Sequence, residues 1–216
     1  MARRLVALLA MLVAGSAWTQ SADVGLVNMV AGDVTFTPAS GIQSKVQAFM
    51  KVRDGDRISV ASGGQVRVVF FDAARQELWA GPSSFRARAK GAEPVSGKPR
   101  EVSNLPAGVP QRIARVPDLM QIAKLGGIQV RGGITPAQKA SLEQQAAVSE
   151  ARATYEKMRT AAAADDIMPE LFLFSALHEY LLYDDMKPVV EEMLRKQPAN
   201  EEVKVLADWV RRRASR

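Results

Sequence analysis

Turn-forming segments recur at short intervals through the first half of this 216-residue chain. Gly-Asp, Asp-Gly-Asp, Ser-Gly-Gly and Gly-Pro-Ser-Ser segments begin at residues 32, 54, 62 and 81. Glycine accepts a positive φ and aspartate caps its own backbone, so each segment favours a reversal of the chain. Apolar residues alternate with other residues between these turns. That pattern predicts short β-strands and leaves no room for a long helix.

The strongest of these predicted strands runs from Val66 to Phe71. Its apolar residues occupy both alternating faces, which predicts a central strand covered on both sides. Further strands are expected around residues 24–30, 34–36, 43–50, 58–60, 78–80 and 85–87. Short strands with frequent turns predict a curled sheet, a small sandwich or a short β-solenoid.

The order of these segments resembles the FecR domain of bacterial envelope proteins over roughly residues 23–90. The residues that carry the resemblance are Gly25-Leu26-Val27, Gly32-Asp33-Val34, Gly55-Asp56-Arg57-Ile58, Ser62-Gly63-Gly64 before Val66-Arg67-Val68, and Asp72 followed by Gly81-Pro82-Ser83-Ser84. The chain departs from the family at Ala73, where a glycine is usual, and at Val60-Ala61, where a threonine is missing. The resemblance implies a periplasmic binding domain. The signalling relays of the family also have a transmembrane helix and contact a sigma factor, and we do not expect that role here.

The last third of the chain has the composition and spacing of helices. Strong helix formers run from Ala137 to Ala164 after Thr135-Pro136, with an apolar stripe that includes Leu142, Ala151, Tyr155 and Met158. Three shorter helices are expected from Pro169, from Asp184-Asp185 and after an Asn200 cap. The segment from Pro169 to Arg213 resembles a degenerate tetratricopeptide repeat through Ala176, Tyr180, Met186, Val190 and Pro198.

These patterns predict an α+β fold, with an all-β first part and an all-α part built from helical hairpins. We expect a signal peptide at 1–17, the FecR-like part at 23–90, a Pro/Gly-rich basic connector at 91–134 and the TPR-like part at 135–213. Within the connector, Asp118 to Lys124 predicts a short helix, and Ile128 to Val130 could be a strand returning to the first sheet.

The first residues predict an export signal. Arg3 and Arg4 precede an apolar run from Leu5 to Val13, and Gly15-Ser16-Ala17 offers a small-x-small cleavage site. The strongly apolar run favours the general secretory route over the twin-arginine route. We therefore expect a periplasmic or secreted protein, and the alternative is that the segment stays attached as an anchor.

Catalytic and metal-binding groups are scarce. The chain has no cysteine and one histidine, His178, which follows Ser175 by one helical turn. A hydrolase using this Ser-His pair is the enzymatic alternative, but no nucleophile turn or oxyanion hole accompanies it. Asp54 and Asp56 are better explained as turn formers than as cation ligands. We therefore expect no enzyme activity, no cofactor and no metal.

Binding of an envelope protein or cell-wall polymer is the function that the sequence favours. The candidate partner-binding residues are Trp79, Arg86, Arg88, Tyr180 and Trp209. For the two tryptophans, packing in a core is the commoner role. Residues 86–131 hold nine basic and three acidic residues, so the alternative is that this segment binds peptidoglycan or another anionic glycan. A solvated basic linker is the commoner explanation of such a charge excess, and an exported protein is not expected to bind nucleic acid. The oligomeric state is left open.

Expression in a bacterium with periplasmic fractionation tests the export signal. We expect the exported form to begin at Trp18, within a few residues, because Ala17 completes the cleavage site. Intact-mass measurement and N-terminal sequencing check this. Recovery of the full-length chain from the membrane fraction would instead support the anchor.

Overall fold

The computed structural model describes residues 22–39, 41–125 and 141–214. The predicted signal peptide, the Thr135-Pro136 cap and the Ile128–Val130 strand lie outside these residues. None of the helices described is both long enough and apolar enough to cross a membrane.

Two five-stranded antiparallel sheets form the first part of the chain. Sheet A has the order β10-β7-β6-β1-β4 and sheet B the order β3-β2-β5-β8-β9. The strands are β1 (Asp23–Ala31), β2 (Val34–Thr37), β3 (Ser44–Lys45), β4 (Lys51–Arg53), β5 (Arg57–Val60), β6 (Gln65–Phe70), β7 (Arg75–Ala80), β8 (Ser83–Arg88), β9 (Gly91–Ser96) and β10 (Glu101–Asn104). The inner faces of the two sheets share one buried apolar cluster, so the arrangement is a sandwich.

The central position predicted for the Val66–Phe71 segment is confirmed, because β6 lies between β7 and β1. Val68 and Phe70 point into the sandwich, whereas Val69 belongs to the apolar cluster of the helices. Sheet A is therefore covered on both faces. Position 25 on β1 requires glycine, because a Cβ there would clash with the carbonyl oxygen of Val69.

The expected strand over residues 43–50 is shorter than predicted. Only Ser44 and Lys45 pair as a strand, and a turn then brings Phe49 to a φ of 61°. The ring of Phe49 is 3% exposed and packs with the helix cluster. Burial of this aromatic side chain thus overrides the weak alternation of the segment.

Both sheets continue beyond residue 90, where the sequence predicted a connector. Strand β9 pairs with β8, and β10 pairs with β7. Pro94 fits in β9 because this strand lies at the edge of sheet B, where one side of the backbone needs no partner. Gly91 is needed at the start of β9, since its φ is 126° and a Cβ would meet the guanidinium of Arg75.

Six helices follow the sheets within the residues that the structure describes. They are α1 (Val109–Ile113), α2 (Val116–Lys124), α3 (Leu142–Ala161), α4 (Met168–Glu179), α5 (Tyr183–Lys196) and α6 (Glu201–Ala214). The α+β fold class is confirmed, as are the short helix at Asp118–Lys124 and the cap by Asn200, whose Oδ1 accepts from the N–H groups of Glu202 and Val203. Three residues join α4 to α5, which makes them a hairpin.

Helix α3 begins differently from the prediction. Within the described residues its cap is Ser141, which forms a reciprocal capping box with Gln144. Leu142, expected in the apolar stripe, is 84% exposed. The helix packs on α4 through Ala151 and Met158 in its later turns, so its first turn does not reach the core.

The helices cover the outer face of sheet A. Leu26 and Val69 of the sheet belong to the same buried cluster as Leu171 and Phe174 of α4. The two parts of the chain therefore share one apolar core at this junction. Burial of this apolar surface is the main force that holds them together.

A buried polar group, here called the junction cluster, lies within this interface. It consists of Asn28, Arg67, Gln76 and Asp166, all at most 4% exposed. Asp166 accepts hydrogen bonds from the side chains of Asn28 at 3.0 Å and Gln76 at 2.6 Å, and from the N–H of Met168 at 2.9 Å. Arg67 lies 4.0 Å from Asp166 and 3.4 Å from the half-exposed Asp165. One carboxylate thus links strands β1, β6 and β7 to the start of α4.

Replacing Asp166 with alanine should lower the free energy of unfolding by about 3 kcal/mol, because buried donors and a guanidinium lose their partner. Denaturant titration measures the loss. Asp165→Ala is the matched control, and it should cost less, since that carboxylate is half exposed and accepts one hydrogen bond, from Arg67, against three at Asp166. Equal effects of the two substitutions would contradict the role assigned to Asp166.

Candidate functional site

The outer face of sheet B is the one broad sheet face that the described helices leave open. Side chains alternate along each strand, so residues paired across strands share a face. One row across the sheet holds Thr37, Arg57, Arg86 and Glu93. The neighbouring row holds Lys45, Thr35, Ser59, Ser84 and Ser96. These two rows, together with Arg88, are called the hydroxyl–arginine face below.

Arg57 and Arg86 lie directly opposite each other in this face. Opposed residues of antiparallel strands have Cβ atoms about 5 Å apart, and like charges in such a pair destabilise the sheet. Arg57 donates from Nε to the hydroxyl of Ser84 at 3.2 Å. Arg86 has no hydrogen bond or ion pair with any residue that the structure describes. On its other side Arg86 lies opposite Glu93, but that carboxylate binds Arg88 at 2.8 Å. Within the described residues, Arg57 and Arg86 therefore face solvent without an ion pair of their own.

Arg88 is exposed as well, but it has partners. Its guanidinium donates to Glu93 at 2.8 Å and to Asp54 at 3.4 Å, which raises its pKa. Lys45 is exposed at the opposite edge of the face. The face thus carries four cations (Lys45, Arg57, Arg86, Arg88) against the carboxylates of Glu93 and the adjoining Asp54, and its net charge is positive.

The inner side of sheet B keeps this face in place. Ile58, Phe85 and Ala87 alternate with the outward residues and are fully buried. Trp79 stacks on Phe85 with ring centroids 4.5 Å apart and is itself fully buried. The indole donates to the buried carboxylate of Glu77 at 2.9 Å. The structure therefore places the predicted partner-binding residue Trp79 in the core beneath the face and away from the surface.

Three further cations of the 86–131 segment are bound to carboxylates of the helices. Arg112 and Arg115 both bind Glu179, at 2.5 Å and 2.7 Å, and Lys124 pairs with Glu202 at 2.8 Å. Arg131 lies outside the described residues. The excess charge seen in the sequence is thus divided, and part of it holds α1 and α2 against α4 and α6.

Trp209 is also in the core, 2% exposed. Its ring packs against Phe174, His178 and Tyr183, and the guanidinium of Arg213 lies 6.0 Å from its centroid. Tyr180 is half-buried at the end of α4. Of the five predicted partner-binding residues, the structure therefore brings only Arg86 and Arg88 together on an open surface.

The Ser175 and His178 pair shows no catalytic geometry. The hydroxyl of Ser175 donates to the carbonyl oxygen of Arg112 at 3.3 Å, and the imidazole of His178 packs on Trp209 with ring centroids 5.5 Å apart. Burial lowers the pKa of His178, with a smaller opposing effect from Glu179. Both side chains therefore serve the contact between α4 and its neighbours.

The turn carboxylates have structural partners. Asp56 is buried and accepts from the N–H of Arg53 at 2.7 Å, while burial raises its pKa. No group of three His, Cys, Asp or Glu side chains within the described residues could hold a metal ion.

A groove lies where the β4 edge of sheet A meets α2 and α6. It encloses about 680 Å³ and combines apolar side chains of Phe49, Met50 and Met120 with the ions Lys51, Lys124 and Glu202. Lys51 pairs with Asp23 and Asp118, and Lys124 pairs with Glu202. Since these charges are already compensated, the groove offers less to a charged ligand than the hydroxyl–arginine face does.

Arg57 is the residue of the face that the sequence did not single out. It follows the Asp54-Gly55-Asp56 turn and reads as an ordinary exposed strand residue. Only the pairing of β5 with β8 brings it opposite Arg86, across 29 residues of sequence. The alternation of β8 could have placed Arg86 and Arg88 on one face, but not Arg57 beside them.

The protein-family models that were scanned do not match this chain, and the curated proteins give no match either. Among solved structures, a cell surface anchoring domain aligns over 30% of this chain and 84% of its own length, at 18% identity. The TM-score of that alignment is 0.28. A score of this size does not establish a shared fold.

The lowered pKa of His178 predicts a pH dependence of stability. As the pH falls below about 6.5, the unfolded chain takes up a proton that the folded imidazole resists, so folding becomes less favourable. We expect wild-type protein to lose more free energy of unfolding between pH 7 and pH 5 than a His178→Gln variant, measured by denaturant titration. Parallel pH profiles would contradict the assignment.

Proposed function

We propose that this chain is an exported, non-enzymatic binding protein of the bacterial cell envelope, and that its hydroxyl–arginine face binds an anionic envelope glycan. The observation that carries the proposal is the opposed pair Arg57 and Arg86, exposed and without a carboxylate between them. A carboxylate or phosphate group of a polymer bound there would relieve the repulsion between the two guanidinium groups.

The chemistry of the face suits a glycan. Guanidinium groups form paired hydrogen bonds with carboxylates and phosphates, and the adjoining row of serine and threonine hydroxyls can both donate to and accept from sugar hydroxyls. Thr35 and Ser59 of that row are partly exposed beside the arginines, whereas Ser84 is buried and its hydroxyl accepts from Arg57. The face is built on paired strands, so its groups are held at a regular spacing and could follow a repeating polymer.

The envelope location in this proposal is supported by sequence. The apolar run after Arg3 and Arg4 predicts export, and the Gly-x-Val and Gly-Pro-x-Ser segments resemble the FecR domain. The absence of catalysis is supported by the contacts of Ser175 and His178, whose side chains are taken up by a backbone carbonyl and by Trp209.

Co-sedimentation of the mature protein with purified peptidoglycan sacculi tests the proposal. An Arg57→Gln/Arg86→Gln variant should bind about tenfold more weakly at low salt, since it loses both charges that lack an ion pair. Wild-type binding should weaken as salt rises and screens the attraction.

The matched control is Lys187→Gln/Lys204→Gln, which removes the same charge from exposed helix positions that pair only with a neighbour on their own helix. It should bind like wild type. Equal loss in both double variants would show that net charge alone drives binding, and binding insensitive to both would rule out the face.

A further inference from the structure

We propose that the edge of β10 with which no other described strand pairs, and the pocket beside it, bind an extended segment of a partner polypeptide as a sixth strand of sheet A. This surface is separate from the hydroxyl–arginine face, which belongs to sheet B. The occupant is defined by its backbone, because an edge strand is completed only by another strand.

Among the strands that the structure describes, β10 is the outermost of sheet A, and β7 is its neighbour on the inner side. The N–H of Leu105 donates to the carbonyl oxygen of Ala74, in register with the Ser103–Gln76 and Glu101–Leu78 pairs. Backbone groups in antiparallel strands alternate between the two neighbours. Those of Val102 and Asn104 therefore point away from β7, toward the open edge.

Both of these residues are exposed, and Val102 retains 51% of its accessible surface. An apolar side chain on an open edge strand is the arrangement that favours addition of a strand. The edge is only four residues long, which limits pairing between copies of the protein and suits a short peptide.

A pocket of about 170 Å³ adjoins this edge. Its apolar walls come from Leu105 and Pro106 after β10, from Met158 and Ala161 of α3, and from Met168 of α4. The polar and charged residues that also line it are Gln76, Glu101, Ser103, Asn104, Lys157 and Asp166. The volume corresponds to about five or six water molecules and is below the roughly 300 Å³ at which small-molecule sites begin. It is large enough for one apolar side chain.

The register of the sheet connects the edge to the pocket. Ser103 shares a face with Gln76, and both line the pocket. A residue of an added strand that pairs opposite Ser103 would therefore direct its side chain toward the pocket. Its two neighbours would lie on the other face of the sheet, beside Val102. The expected ligand is an extended peptide. One apolar side chain of this peptide would enter the pocket, and the side chains before and after it would lie on the opposite face of the sheet.

Selection from a displayed library of random twelve-residue peptides against the mature full-length chain tests this inference. Selected peptides should bind a Val102→Pro variant, which lacks the outward N–H, at least about tenfold more weakly. Ala161→Phe, which fills the pocket from an exposed position, should have a similar effect. Val95→Pro is the control, because Val95 is an exposed bulge residue on the edge of the other sheet.

Amide hydrogen exchange of the wild-type protein gives a readout that needs no variant. Bound peptide should slow exchange at Val102 and Asn104 at least about tenfold. The inference is overturned if no peptide is selected, if the variants and control bind alike, or if those two amides stay unprotected in the complex. Protection that appears with protein concentration alone would show that a second copy occupies the edge.

Discussion

The carboxylate of Asp166 lies between strands and helix with almost no access to water. It receives three hydrogen bonds, from Asn28, Gln76 and the backbone of Met168, and a guanidinium lies beside it. Leaving any of these groups buried without its partner is costly, so the arrangement permits one relative placement of the sheet and α4. The apolar contacts around Asp166 supply most of the stabilisation, but they determine the relative position of the sheet and α4 less strictly.

This placement determines which surfaces remain open for binding. With the helices on sheet A, the second face of sheet B stays in solvent and carries the opposed arginines. The same placement brings the end of α3 and the start of α4 beside the β10 edge, which creates the small pocket there. Arg159 holds α3 against α4, because it pairs with the buried Glu170 and donates to carbonyl oxygens in the segment between these helices. Both proposed binding surfaces thus follow from the docking of the helices.

Local sequence patterns predicted the elements better than the interface. Alternation identified β6 as central, and Asn200 marked the start of α6, because both signals act within a few residues. The sequence does not predict the strands after residue 90, because the prolines there indicate breaks in regular structure, although proline is tolerated at a sheet edge. Trp79 and Trp209 suggested binding, but large aromatic residues more often fill cores, as both do here.

The junction cluster could not be predicted from local sequence. Asn28 and Asp166 are 138 residues apart in the sequence. Asparagine and aspartate usually occur in surface turns and helix caps, so neither residue indicates a buried contact. Similarly, Arg57 and Arg86 become neighbours only through the order of strands in sheet B. Such pairs depend on tertiary pairing that a single sequence does not display, whereas the fold class depends on periodicity that it does.

Native-state hydrogen exchange tests most directly whether the sandwich and the helices form one cooperative unit. The structure predicts that the slowest amides of β6 and of α4 exchange through the same global opening, with equal free energies and equal dependence on denaturant. If α4 opened at a free energy several kcal/mol below that of β6, the helices would be an independent unit, and the role given to the Asp166 contacts would be wrong.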